Sequence, residues 1–187
     1  MKFRILYGGT EYSFAKDPDF TPVSTSKKFW ANVIEKYYSK YKGIAAWHNQ
    51  IISEVGRTGK LIMPTGRQYA FEMKRNWRGD LQLPVQQIKN YPVQGFGADV
   101  VSILRVMVYK RSKKYELDGL LINTVHDSIV VDCPREATRD WIILFKECFE
   151  DLPKNIEKVF GFKFDMKIRV EIMIGKNQYN LHKVLKT

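Results

Sequence analysis

The chain has 187 residues, 44% of them hydrophobic and 13% aromatic, enough for one folded domain or two small subdomains and unlike a disordered chain. Lys and Arg number 31 against 20 Asp and Glu, and the formal charge of +11 favours a polyanionic partner, nucleic acid before an anionic membrane surface. No run approaches the ~18 apolar residues of a membrane span, no signal-peptide pattern opens the chain, and two cysteines imply neither a disulfide framework nor a zinc site, so cytoplasm is the expected compartment.

In chain order, Phe3, Ile5, Leu6 and Tyr7 read as the end of a buried helix stopped by Gly8-Gly9. So short a helix repays little of its nucleation cost, which suggests the tail of an element begun elsewhere. Asp17-Pro18-Asp19 marks a turn, and Ser24 to Ser26 can cap the next helix. From Lys27 to about Glu54, Trp30, Val33, Ile34, Tyr37, Tyr38 and Tyr41 recur at helical steps, with Gly43 as the expected break. This aromatic stripe is read as core. Leu61-Ile62-Met63 and Tyr69-Ala70-Phe71 form a hairpin pattern around Pro64-Thr65-Gly66-Arg67. Asn76 to Leu83 reads as loop, with a subdomain boundary near Pro84.

The segment Ile88-Lys89-Asn90-Tyr91-Pro92-Val93-Gln94-Gly95 leads into a long helix with Val100, Leu104 and Val108 on one face. Its basic end, Lys110 to Lys114, complements the helix dipole. Two β-branched runs come next, Leu120–Val125 and Ile129–Val131, around His126-Asp127-Ser128. They read as a hairpin whose strands anchor a carboxylate at the tip. That Asp is either a plain turn residue or a metal ligand, and the triplet alone does not decide. Asp132-Cys133-Pro134 opens a helix through Trp141, Leu144, Phe145 and Cys148. Met166, Ile168, Val170, Ile172 and Ile174 then alternate with Lys167, Arg169, Glu171 and Met173 as a half-buried strand, ended by Gly175 before a polar tail.

Four blocks, in order and with plausible spacing, resemble the C-terminal third of family A DNA polymerases of the DNA polymerase I type, most closely those of bacteriophages. FRILYGG at Phe3–Gly9 resembles the end of motif B on the fingers O helix, and GKLIMPTGRQY at Gly59–Tyr69 the family's segment ending in Gly-Arg. NYPVQGFGAD at Asn90–Asp99 is similar to the entry into the palm helix, and TVHDSIVVDCP at Thr124–Pro134 to motif C. The terminal VEIMIGKN is also like the family's closing strand and turn. The resemblance implies an α+β fold: a helical fingers remnant over residues 1–84 and a palm portion over residues 85–187 with an antiparallel sheet and flanking helices.

It further implies two-metal nucleotidyl transfer from dNTPs to a primer 3′-hydroxyl on primer-template DNA. Asp127 would bind Mg²⁺ and His126 would meet the primer terminus. Phe3 and Tyr7 would contact the incoming nucleotide and templating base. Asn90 and Gln94, four apart, carry amides able to donate to minor-groove acceptors that every base pair presents, and Arg67 would meet a phosphate. Three departures stand out: Ser128 where the family usually has Glu, Gln86 where it has a basic residue, and no motif A with its catalytic Asp. The expectation is a split polymerase whose N-terminal polypeptide supplies the second carboxylate. The alternative is a non-catalytic DNA-binding or assembly module descended from a polymerase.

Overall fold

The computed structural model describes residues 2–76, 78–166, 168 and 170–186. The chain divides into two compact units, Met1–Phe96 and Gly97–Thr187.

The first unit opens with α1 (Lys2–Leu6). It stops as expected: Gly8 has φ +84° and donates to the Ile5 carbonyl, and Gly9 donates to that of Arg4. Helix α2 (Glu11–Lys16) has no counterpart in the sequence reading. At six residues it is too short for periodicity, and its capping box pairs Thr10 with Ser13 rather than with the usual Glu or Gln. Ser26 caps α3 (Lys27–Lys40) by accepting from the Phe29 amide. The break before α4 (Lys42–Thr58) falls at Tyr41 (φ −114°, ψ 62°) and not at Gly43. Gly43 lies in open space inside the first turn of α4, where its lack of a side chain breaks nothing. Ile5, Phe14, Ala15 and Trp30 form one core, with Val33, Ile34, Tyr37 and Tyr38 packed on it. The stripe packs into this core as read except at Tyr41, which is exposed at the end of the helix.

Gly59, at φ +69°, ends α4 and starts the hairpin β1 (Lys60–Ile62) with β2 (Gln68–Ala70). Ile51, Val55, Leu61, Phe71 and Ile88 make the second core. The expected loop at 76–83 carries a second hairpin, β3 (Lys74–Arg75) with β4 (Leu81–Gln82). Two-residue strands show no alternation, and its turn is held by Asn76 Oδ1, which accepts from the amides of Arg78 and Asp80.

The unit boundary falls inside α5 (Val85–Lys114). In the second unit Val100, Leu104, Met107 and Val108 are buried along this helix. Arg111 donates to Asp151 at 2.5 Å and lies 3.8 Å from Glu147. Strands β5 (Leu120–Val125) and β6 (Ser128–Asp132) pair antiparallel. A 3-10 turn (Arg135–Ala137) leads into α6 (Thr138–Phe160), which buries Trp141, Leu144, Cys148, Leu152 and Ile156 at three- and four-residue steps. The closing strand is shorter than the alternation suggests. β7 (Glu171–Ile174) pairs with β8 (His182–Lys186), in the segment read as a tail, and pairing begins only at Glu171↔Lys186. Lys167 and Arg169 lie outside the described residues. Every sheet among the described residues is a two-stranded antiparallel pair, so the fold is α+β. No described helix is long and apolar enough to cross a membrane.

Candidate functional site

The β5–β6 register runs to Val125↔Ser128, leaving His126 and Asp127 as the two-residue turn. His126 takes φ +51°, left-handed backbone that few side chains other than Asn, Asp and His adopt. The Ser128 hydroxyl closes the turn by donating to the Val125 carbonyl at 2.9 Å. Asp127 is exposed at the tip and has no ion-pair partner among the described residues. It is not a carboxylate consumed by a structural salt link. The register shift between Leu121 and Asn123 makes Ile122 a bulge, a device that bends a strand and re-aims its side chains. One expectation is corrected here: the strands do not anchor the tip in a core. No residue of either strand is buried, and Leu120 and Ile122 are 65% and 57% exposed. Leu121, Thr124 and Ile129 to Val131 are only half-buried, in keeping with a two-stranded ribbon that has no third strand among the described residues.

In the first unit the helix has begun well before Asn90, so Asn90 and Gln94 share one face of α5. Asn90 is the sixth residue of the helix and cannot be its cap. Its Oδ1 is buried without a hydrogen-bond partner among the described residues, which costs about 1–3 kcal/mol. Gln94 is exposed. Pro92 lies between them inside the helix and offers no amide to the Ile88 carbonyl. Gly95 explains where Arg67 sits. A Cβ at Gly95 would land on the Tyr69 hydroxyl and come within 3.1 Å of Arg67 Cδ. The tip of the β1–β2 hairpin therefore lies directly on the helix turn that carries Gln94. Tyr91 packs near Tyr69 and Phe71, with ring centroids 5.6 and 5.8 Å apart. The structure thus brings Arg67, Asn90 and Gln94 into one neighbourhood, and it adds Tyr69, Tyr91 and Gly95.

Tyr7 is half-buried in the turn after α1. A Cβ at Gly8 would sit 3.4 Å from both Gln86 Cγ and Lys89 Cδ, so that turn lies against α5 just before Asn90. The side chain of Phe3 lies outside the described ones.

Behind this contact sits a polar group that the sequence pattern did not reveal. His48 is 2% exposed, and its Nδ1 lies 3.4 Å from the Tyr38 hydroxyl. The same hydroxyl lies 3.4 Å from the Ile5 carbonyl, and His48 Nε2 is buried with no hydrogen-bond partner among the described residues. Burial, then the charge of Lys89, pushes the His48 pKa down to about 4, and burial lowers that of Lys89. The helical spacing around His48 reads simply as core. Its polarity is legible only once α3 and α5 are seen beside it.

Among the described residues no group of three or more His, Cys, Asp or Glu is placed to hold a metal ion. Asp127 is therefore one candidate ligand and not a site.

The comparisons with known proteins agree with one another. The family model for DNA polymerase family A matches residues 1–180. DNA polymerase I of Caldicellulosiruptor bescii is 27% identical over 184 residues, covering 96% of this chain and 20% of that protein. That of Aquifex aeolicus is 27% identical over 144 residues, or 76% and 22%, and the thermostable enzyme of Thermus filiformis 24% over 178, or 95% and 19%. The POL domain of Pol1 from M. smegmatis, solved in complex with DNA primer-template and dNTP, superposes with a TM-score of 0.67 at 17% identity. The match covers 82% of this chain and 26% of that one, and it speaks for the fold. The chain spans about a fifth of the length of the curated relatives it matches. On the match to residues 1–180, this chain belongs to DNA polymerase family A.

Proposed function

We propose that this chain supplies the motif C part of a template-directed DNA polymerase acting in the cytoplasm, with residues 1–84 serving as fingers and 85–187 as palm. The observation that carries the reading is Asp127: an exposed carboxylate without an ion-pair partner among the described residues, held at a hairpin tip by left-handed backbone at His126 and a serine-closed turn. The donor chemistry suits Mg²⁺, which takes hard oxygen ligands, keeps several waters and needs one or two carboxylates. When bound, a magnesium pair supplies charge for the entering and leaving oxygens as a primer 3′-hydroxyl attacks the α-phosphate of a dNTP. His126, beside Asp127, orients the primer terminus. Asn90 and Gln94 donate to minor-groove acceptors common to all base pairs, and so test pair geometry rather than sequence. Arg67 meets a phosphate, Tyr7 stacks below the templating base, and Phe3 lines the incoming sugar.

The second carboxylate must come from another polymerase segment, the N-terminal part bearing motif A. Primer extension with Mg²⁺ tests this: the 187-residue chain alone is expected to be inactive, and robust synthesis by it refutes the need for that segment. In the completed polymerase, Asp127→Asn should abolish extension while leaving primer-template affinity nearly unchanged. Surviving activity refutes the metal assignment. Ser128 favours a second reading, because its hydroxyl is spent on the Val125 carbonyl where the family usually has a carboxylate. A non-catalytic DNA-binding module would bind DNA in a salt-sensitive way and incorporate no nucleotide with any complement.

A further inference from the structure

The lysine beside Asn90 has no part in the contacts described so far. Lys89 is half-buried, and among the described residues it has no ion-pair partner. Burial alone acts on its ammonium group and lowers its pKa. The first turn of α5 carries no acid, and the nearby His48 is held neutral by burial and then by the lysine's own charge. A cation close to the positive end of a helix, partly stripped of water and given no counter-ion, is unfavourable where it stands. The geometry shows which way its stem runs. A Cβ at Gly8 would lie 3.4 Å from both Lys89 Cδ and Gln86 Cγ, so the side chain lies along that turn, back towards the start of α5.

Its place around the helix says what the missing counter-ion is. Gln86, Asn90 and Gln94 recur every four residues in α5, a stripe of side-chain amides that drifts by only about 40° per step. Lys89 stands about 100° to one side of Asn90 and Gly95 about 140° to the other, and Arg67 lies over Gly95. A minor groove that takes such a stripe is bordered on each side by a phosphate backbone. Cations on both flanks of the stripe therefore face one backbone each. We propose that Lys89 binds a DNA backbone phosphate on the side of the amide stripe opposite Arg67, so that the two cations take the two walls of one minor groove. The proposal rests on the minor-groove reading of Asn90 and Gln94 above and adds the strand that Arg67 does not reach.

The test is fluorescence anisotropy of the full chain on a labelled blunt duplex at several salt concentrations. Lys89→Met keeps the stem and removes the charge. It should weaken binding about tenfold and reduce the salt slope by about one, the share of a single phosphate. Lys89→Arg should restore both. Combined with Arg67→Ala, the loss of slope should reach about two, as separate phosphates require. Because the deleted charge has no counter-ion in the chain, the urea midpoint of Lys89→Met should not fall, and the His48 ring, followed by NMR, should titrate at a higher pH than in the wild type. The proposal is overturned if Lys89→Met leaves duplex affinity and slope unchanged, if Lys89→Arg fails to restore them, if the losses at Lys89 and Arg67 do not add, or if binding and the urea midpoint fall together. A nucleoside triphosphate carries the same phosphate chemistry. At matched ionic strength dTTP should not compete with the duplex, and competition that Lys89→Met abolishes would overturn the backbone assignment in favour of the triphosphate. Lys89-dependent binding alongside a Gln94→Ala chain that holds the duplex normally would sink the minor-groove reading and spare the phosphate contact; the reverse result would sink only the role of Lys89.

Discussion

Gly95 and Gly97 stand two residues apart in α5 and meet opposite demands. Alanine at Gly95 drives a methyl into the Tyr69 hydroxyl and the Arg67 stem, whereas a Cβ at Gly97 meets nothing within 4 Å. Overpacking typically costs about 1–3 kcal/mol, and replacing helical Gly by Ala returns up to about 1 kcal/mol. Gly95→Ala should therefore destabilise the chain by about 1–2 kcal/mol and displace Arg67, while Gly97→Ala should stabilise it by up to about 1 kcal/mol. Urea midpoints at unchanged slope check both. The pairing of Asn90 with Gln94 was legible in the sequence, because four-residue spacing on a helix fixes a shared face. The reason for Gly95 was not, because it lies in the hairpin that packs over it, a contact between segments some thirty residues apart that no local pattern encodes.

Where α3, α4 and α5 meet, His48 makes the first unit sensitive to acid. The folded pKa of about 4 lies below the ordinary value of 6.5, so the folded state binds fewer protons than the unfolded chain between them. Its contribution is fully present above about pH 6.5 and is lost progressively as pH falls toward 4, by up to about 3 kcal/mol. Unfolding measured by urea at pH 7 and at pH 4.5 should show a steeper loss for the wild type than for His48→Leu, which keeps the volume and removes the proton site. Equal losses would remove His48 as the cause. The elements around it differ in how visible they are beforehand. The long helices α3, α4 and α6 announce themselves by periodicity over many residues. Helix α2 and strands β3, β4 and β8 do not, being too short to carry a period and held by turn hydrogen bonds or a pairing partner.

At the scale of the whole molecule the positive charge becomes a measurable quantity. Composition alone points to a polyanion without distinguishing a phosphate contact from a solvated surface, and salt titrations of point variants can separate them. Arg67 lies exposed beside the helix turn of Gln94, a cation set next to two neutral amides. A phosphate contact releases counterions and a minor-groove hydrogen bond does not, so the two kinds of residue leave different signatures. For duplex DNA, log affinity should fall linearly with log salt. Arg67→Ala should weaken binding and reduce that slope by about one. Gln94→Ala should lower affinity by about two- to tenfold, the worth of a neutral hydrogen bond, at unchanged slope. Because the acceptors occur in every base pair, its loss should be the same on AT-rich and GC-rich duplexes of equal length. A sequence-dependent loss would mean that Gln94 reads base identity, and an unchanged slope in Arg67→Ala would return that arginine to the solvated surface. Either result can be obtained with the chain as it stands, before any complementing segment is identified.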